Sequence, residues 1–262
     1  MPQPEGVRLG GTVRDIVVDG GFVRTETRGS GPVLVLLHGW TLDRRMWLPQ
    51  LPLAEHFTLV TLDRRGFGQS SAPAETRAEP GDLLAIADAL GLEHFHLLGM
   101  SQAGRVALRF AADHPERILS LVLQGTPADG VPQGPDELED VPIAAMSAAA
   151  ASGDFAEMRR LWGAHPLVKL QHPRWQATLD AILADYEARD LLRPGLGVAA
   201  GLETLSVPVL AITGAHDTAW RRRIAALLGD APRGHDVTIP AAGHLCNMDQ
   251  PAVFNALIGQ LA

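Results

Sequence analysis

Ser101, Asp217 and His244 carry the side chains that would make an alcohol reactive, and each follows a stretch with strand character. Ser101 lies in Gly99-Met100-Ser101-Gln102-Ala103-Gly104, where an apolar run ends and a helical pattern starts. A sharp turn there would hold the serine in a strained conformation with its hydroxyl exposed. Small residues at Gly99 and Ala103 would let helix and strand backbones pass closely. A serine hydroxyl is a poor nucleophile until a base accepts its proton. His244, in Pro240-Ala241-Ala242-Gly243-His244, follows the last expected strand and precedes the final helix, where such a base belongs. The other nine histidines fit less well; His94 and His96 go with a strand, His114 with a helix end, His165 and His172 with an insertion.

An imidazole needs an acid to fix its tautomer and stabilise the imidazolium. Asp217, in Thr213-Gly214-Ala215-His216-Asp217, follows the penultimate strand and is expected at the same edge of the sheet. Asp129 is the substitute acid, and Asp249 reads as the N-cap of the last helix. Developing negative charge calls for backbone N–H groups fixed in advance. The amides of Gln102, at the helix start, and Trp40, in His38-Gly39-Trp40, are the two candidates for an oxyanion hole. His38 itself is expected to bond nearby backbone. Leu42, Met100, Trp162 and Leu245, with Trp40, are the expected lining of an apolar substrate pocket.

These residues require a sheet to carry them. Thr12 to Val18 and Phe22 to Thr27 flank Asp19-Gly20-Gly21 and predict an antiparallel hairpin. Short apolar runs follow at Val33 to Leu37, Phe57 to Leu62, His94 to Leu98, Ile118 to Leu123, Val207 to Ile212 and, more weakly, Asp236 to Ile239. Such continuous runs suit strands covered on both faces. Helical patterns alternate with them at Asp82 to Leu90, ending at Gly91, at Gln102 to Asp113, ending before Pro115, and at Gln250 to Leu261. The alternation stops between Gly125 and Leu205, where prolines punctuate an entry loop and amphipathic stretches follow, chiefly Asp154 to Trp162 and Arg174 to Asp190. The expected organisation is a core of residues 1–124 and 206–262, with residues 125–205 as a helical cap, or lid.

Composition narrows the role. Among 262 residues, 46% are hydrophobic and 20% charged, as in an ordinary globular chain. A net charge of −8 supplies no basic stripe for nucleic acid. Arg221-Arg222-Arg223, the densest basic run, is too short for that task and reads as a solvated helix face. Cys246 is the single cysteine, so no disulfide forms within the chain. No apolar run is long enough to cross a membrane, and Met1 to Gly11 lacks a leader pattern, so a cytoplasmic location is expected. Gly66-Phe67-Gly68 lacks the ending of a phosphate loop, and no metal-ligand cluster stands out, so no cofactor and no metal are expected. Arg159, Arg160 and Arg174 fall in the cap and are candidates to meet a substrate carboxylate, though exposed helix arginines usually do nothing so specific.

Taken in order, His38-Gly39, Asp63-Arg64-Arg65-Gly66-Phe67-Gly68-Gln69-Ser70, the turn at Ser101, Gly214 to Asp217 and Gly243-His244 resemble the α/β-hydrolase superfamily over nearly the whole chain. The stretch from His38 to Trp47, with Asp63 to Gly68, is similar to bacterial esterases related to cofactor-free haloperoxidases (perhydrolases). Gly243-His244-Leu245-Cys246-Asn247-Met248-Asp249-Gln250-Pro251 is similar to the tails of enol-lactone hydrolases and carboxylesterases. Departures are Ala103, where the turn usually has Gly, and Asp249, where Glu is commoner. The resemblance implies an α/β fold with a mostly parallel eight-stranded sheet, helices on both faces and a helical lid. It also implies cleavage of small to medium carboxylic esters or lactones through an acyl-enzyme on Ser101. Relatives with an Asp nucleophile, dehalogenases and epoxide hydrolases, are disfavoured by Ser101. A perhydrolase or C–C bond hydrolase on the same three residues, and a ligand-binding receptor on the same scaffold, are the alternatives.

Overall fold

The hairpin forms first along the chain and sets the sheet edge: β1 (Thr12–Val18) pairs antiparallel with β2 (Gly21–Arg28), Val18 opposite Gly21. The computed structural model describes residues 11–201 and 205–262. The N-terminal reading above therefore falls almost wholly outside the described residues. β2 runs antiparallel to β4 (Thr58–Leu62), and from there the sheet is parallel. β3 (Val33–Leu37), β5 (Phe95–Met100), β6 (Ile118–Gln124), β7 (Val209–Gly214) and β8 (Gly234–Ile239) complete an eight-stranded sheet in the order β1-β2-β4-β3-β5-β6-β7-β8. The fold is the expected one.

Alternation along each strand divides the core into two layers. Val35, Leu37, Val60, Leu97 and Leu121 face α1 (Glu79–Ala89), α2 (Gln102–Asp113) and α7 (Ala219–Gly229). Leu34, Leu36, Leu59, Leu98 and Val122 face the other way. That layer is covered by a 3-10 helix (Arg44–Glu55), α5 (Gln176–Asp185), α8 (Cys246–Asp249) and α9 (Pro251–Ile258). The 3-10 helix was not anticipated. Pro49 and Pro52 lie inside it, and each lacks the N–H that an α-helical bond would need.

Between β6 and β7 the chain forms α3 (Ile143–Ala151), α4 (Phe155–Gly163), α5 and α6 (Arg189–Leu192), joined by loops and short 3-10 turns. Among the described residues, an isolated parallel bridge from Asp129 to Gly201 joins its two ends. Met146, Met158, Trp162, Leu167 and Tyr186 form a third apolar cluster, into which Phe67 of the sheet-edge loop reaches. The single helix expected from Arg174 to Asp190 is two. Tyr186 is extended (φ −69°, ψ 117°) and Ala188 left-handed (φ 54°), because the Tyr186 ring leaves the helix to stack on Phe67, centroids 6.3 Å apart.

Of Arg221 to Arg223, expected as a solvated face, Arg222 is exposed and Arg223 half-buried, but Arg221 is not solvated. Arg221 is buried against Glu139 (Nε–Oε1 2.7 Å), Arg222 donates to the carbonyl of Ala215, and Arg223 pairs with Glu137 at 2.6 Å. Asp249 is not the N-cap of α9, whose cap is Gln250. Its carboxylate instead accepts the N–H groups of Gly243 (2.8 Å), Gln171 (2.6 Å) and His172 (3.2 Å), tying the His244 loop to the insertion. Sequence position alone gave no sign of these partners, since each lies on a different element.

Candidate active site

Ser101 occupies the one-residue turn between β5 and α2 with φ 54° and ψ −123°, a region an L residue seldom enters. Its N–H bonds the carbonyl of Gln124 at 2.7 Å, and its own carbonyl accepts from Gly104 at 2.8 Å. A side chain on Gly99 would meet the Ala103 carbonyl at 2.7 Å and the Gly104 Cα at 2.8 Å, so the close passage is real. Gly104, one residue beyond the small position the sequence reading stressed, is pressed against Thr126.

His244 and Asp217 meet through one nitrogen. Nδ1 lies 3.1 and 3.0 Å from the two carboxylate oxygens, and both side chains are buried. A carboxylate only accepts, so Nδ1 is the donor of this pair, and Nε2 has no hydrogen-bond partner among the described residues. Asp217 also accepts the Thr218 N–H at 2.7 Å, where α7 begins. Gln124 links the two loops: besides accepting the Ser101 N–H, it donates its side-chain amide to the His244 carbonyl at 3.1 Å. Ser101 and His244 border one cavity, with no direct hydrogen bond between them among the described residues. Asp129, the substitute acid, is engaged elsewhere, accepting from Ala200 at 2.7 Å and pairing with Arg105 at 2.9 Å.

The loop after β3 lies on the other side of the serine. A side chain on Gly39 would reach within 3.5 Å of Ser101 Cβ and strike Met100 Sδ. The backbone N–H groups of Trp40 and Gln102 have no hydrogen-bond partner among the described residues. His38 is fully buried, its Nε2 accepting the Arg64 N–H at 2.9 Å and its Nδ1 donating to the Gly39 carbonyl at 2.8 Å. Burial and the Arg64 charge hold its pKa down to about 3. Arg64 explains the motif it belongs to: it pairs with Glu79 (2.6 Å) and donates to the His38 carbonyl (3.0 Å) and the Gln102 side chain (3.1 Å), joining both donor loops.

The cavity measures about 360 Å³. Trp40, Leu42, Met100 and Trp162 line it as expected, whereas Leu245 does not. Leu245 is fully buried in the layer under the sheet, because the turn that brings His244 to the cavity sends the next side chain inward. Arg159, Arg160 and Arg174 do not border the cavity; Arg160 pairs with Glu157 at 2.6 Å and Arg159 lies over Phe155. The cations at the wall are Arg105 of α2 and Arg221 of α7.

Several residues escaped the sequence reading. Gly125 (φ 52°) passes so close that an added Cβ would sit 2.7 Å from His244 Nδ1 and 2.9 Å from Asp217 Oδ2. Its place directly after a strand was the available signal. Glu139, from the insertion, accepts from Thr218 Oγ1 at 2.7 Å and from Arg221. Burial works against its charge, but the Arg221 guanidinium outweighs this and holds the carboxyl below its usual range. Nothing local marks Glu139 among the acidic residues around it.

Residues 32–163, just over half of the chain, match the model of the alpha/beta hydrolase fold family, and the chain belongs to that family. A fluoroacetate dehalogenase of a Burkholderia species is 41% identical over 104 residues, 36% of this chain and 34% of that protein. A pimeloyl-[acyl-carrier protein] methyl ester esterase of Aeromonas hydrophila is 29% identical over 263 residues, 90% of this chain and 97% of that one. A solved esterase from a Rhodococcus species shares the fold with a TM-score of 0.78 at 24% identity, over 95% of this chain and 97% of that one. No helix among the described residues is long and apolar enough to cross a membrane.

Proposed function

We propose that this chain hydrolyses small to medium carboxylic esters or lactones through an acyl-enzyme on Ser101, with His244 as general base and Asp217 as its orienting acid. The observation that carries this reading is the His244–Asp217 pair at 3.0 Å, with His244 bordering the cavity that Ser101 also borders. His244 Nε2 takes the Ser101 proton as Oγ attacks the acyl carbon. The oxygen that becomes negative is met by the N–H groups of Trp40 and Gln102. As the intermediate collapses, the imidazolium returns the proton to the leaving alcohol, and water repeats the sequence to free the acid. Gln102 opens α2, so the positive end of the helix adds to the stabilisation.

Residues 125–205 act as a cap over the acyl site, and the aromatic and aliphatic lining favours an apolar acyl chain. Replacing Ser101 by Ala is expected to lower kcat for p-nitrophenyl butyrate by about 10⁵-fold or more while leaving the melting temperature within a few degrees. An aryl phosphonate should label the native protein at Ser101 and leave the variant unlabelled. Undiminished ester cleavage by Ser101→Ala would overturn the reading.

A further inference from the structure

His38-Gly39-Trp40-Thr41 leads from β3 towards the 3-10 helix, and two side chains of the insertion reach onto it. Trp162 of α4 donates its indole N–H to Thr41 Oγ1 at 2.6 Å. Asp190 of α6 accepts the Trp40 indole N–H on Oδ2 at 2.5 Å. The two indoles also touch, ring centroids 4.8 Å apart and planes at 61°.

The backbone between these anchors is strained. Thr41 has φ 63°, and a β-branched residue in the left-handed region is an outlier that persists only where its surroundings over-determine it. Thr41 is 1% exposed, so its hydroxyl depends on protein partners. The peptide unit joining Gly39 to Trp40 carries the Trp40 N–H, and Gly39, without a Cβ, does little to fix its own rotation. The carbonyl end of that unit accepts from His38 Nδ1 at 2.8 Å and from the Leu42 N–H at 3.3 Å, and the side chains that follow its N–H end are held by Asp190 and Trp162. Asp190 is itself anchored: Tyr186 donates its hydroxyl to Oδ1 at 2.6 Å, and burial together with the Asp190 charge pushes the phenol up, so it remains a donor. Arg189, beside it, donates to the carbonyls of Ser70 and Gly68, each at 2.8 Å, fastening α6 to the sheet-edge loop.

We propose that Trp162 and Asp190 are positioning residues of the oxyanion hole: their hydrogen bonds to Thr41 and Trp40 hold the strained segment so that the Trp40 N–H faces the oxygen bound above Ser101. This rests on the reading of Trp40 as an oxyanion donor. The insertion then does more than cover the site, since one of the two donors is aimed by it. Neither side chain is called on to touch the reacting atoms.

The test compares full-length Trp162→Phe, Asp190→Ala and Asp190→Asn with the native chain, using p-nitrophenyl butyrate. Losing one oxyanion donor outright costs about 10²–10³-fold in kcat, so misdirecting it should cost about tenfold or more. Trp162→Phe and Asp190→Ala are each expected to lower kcat by that amount with KM changed by less than about threefold. Asp190→Asn keeps an acceptor for the Trp40 indole and should recover kcat to within about threefold of native. Because both anchors act on one segment, the double variant should lose less than the product of the single losses. Binding of an aryl trifluoromethyl ketone, whose adduct places an oxyanion at the same N–H, should weaken in parallel with kcat. Thr41→Val deletes the Trp162 hydrogen bond from the other side and serves if Trp162→Phe does not fold. Unchanged kcat, or a change in KM alone, in folded variants whose turnover still depends on Ser101 overturns the positioning role. Turnover that survives Ser101→Ala overturns the proposed function instead.

Discussion

Two buried histidines each stand beside a glycine in a loop at the same edge of the sheet, His38 after β3 and His244 after β8, and of the two only His244 borders the cavity. Their burial is nearly equal, 0% and 3% exposed. What separates them is how their nitrogens are used. Both ring nitrogens of His38 are spent on backbone, Nε2 on Arg64 and Nδ1 on Gly39. Only Nδ1 of His244 is spent, on the Asp217 carboxylate, and Nε2 has no hydrogen-bond partner among the described residues. Burial and loop position therefore do not make an imidazole a base. In the proposed mechanism a nitrogen without a partner does, and it is left so because the carboxylate engages the ring from the other side.

Removing the ring proposed as the base should cost the most activity. His244→Ala is expected to lower kcat for an aryl ester by about 10⁴–10⁶-fold with a native circular dichroism spectrum. A loss smaller than about a hundredfold would place the base elsewhere. A milder perturbation displaces that ring without removing it. Gly125→Ala adds a methyl group 2.7 Å from Nδ1, at a backbone position of φ 52°. It should cut kcat by about 10–100-fold and stability by about 1–2 kcal/mol, read by steady-state kinetics and urea unfolding. Native kinetics in a folded Gly125→Ala would mean that the histidine loop yields easily.

The smallest effect on turnover belongs to the other ring. His38→Gln, whose amide still offers a donor for the Gly39 carbonyl and an acceptor for the Arg64 N–H, should change kcat by less than about tenfold, yet destabilise the fold by about 1–3 kcal/mol because the flexible amide fits the site less well than the ring. Its pH dependence sharpens the contrast. An unfolded histidine takes up a proton below about pH 6.5, whereas the folded ring does so only near 3. Between those values the unfolded chain binds more protons, so stability falls as acid is added. This group contributes a slope of up to about 1.4 kcal/mol per pH unit. Urea unfolding between pH 4 and 7 should show a shallower slope in His38→Gln than in the native chain; equal slopes would mean that the buried ring already charges in the fold.

Much of the frame was legible because its signals are local. Gln102 to Asp113 was expected as a helix and is one with those ends, since the turn residues before it and Pro115 after it punctuate the chain within a few residues. The hairpin around Asp19-Gly20-Gly21 and the continuous apolar strands are local in the same sense. The helix expected from Arg174 to Asp190 broke at Tyr186, whose ring was drawn to Phe67, more than a hundred residues earlier. Arg221 looked solvated because its partner, Glu139, is 82 residues away. Leu245 was expected in the pocket and is buried under the sheet instead, since in a tight turn a neighbour of His244 need not share its direction.

By itself, the sequence determined the order of strands and helices and which residue types stand at the strand ends, because periodicity, glycine and proline act over a few positions. It also limited the nucleophile, base and acid to a short set of candidates. Only the tertiary structure decided which histidine keeps a free nitrogen, that Gly125 and Gln124 hold it in place, and that Trp162 and Asp190 clamp the loop carrying the Trp40 amide. Those outcomes depend on contacts between segments dozens to two hundred residues apart, and such contacts exist only once the sheet has set its register.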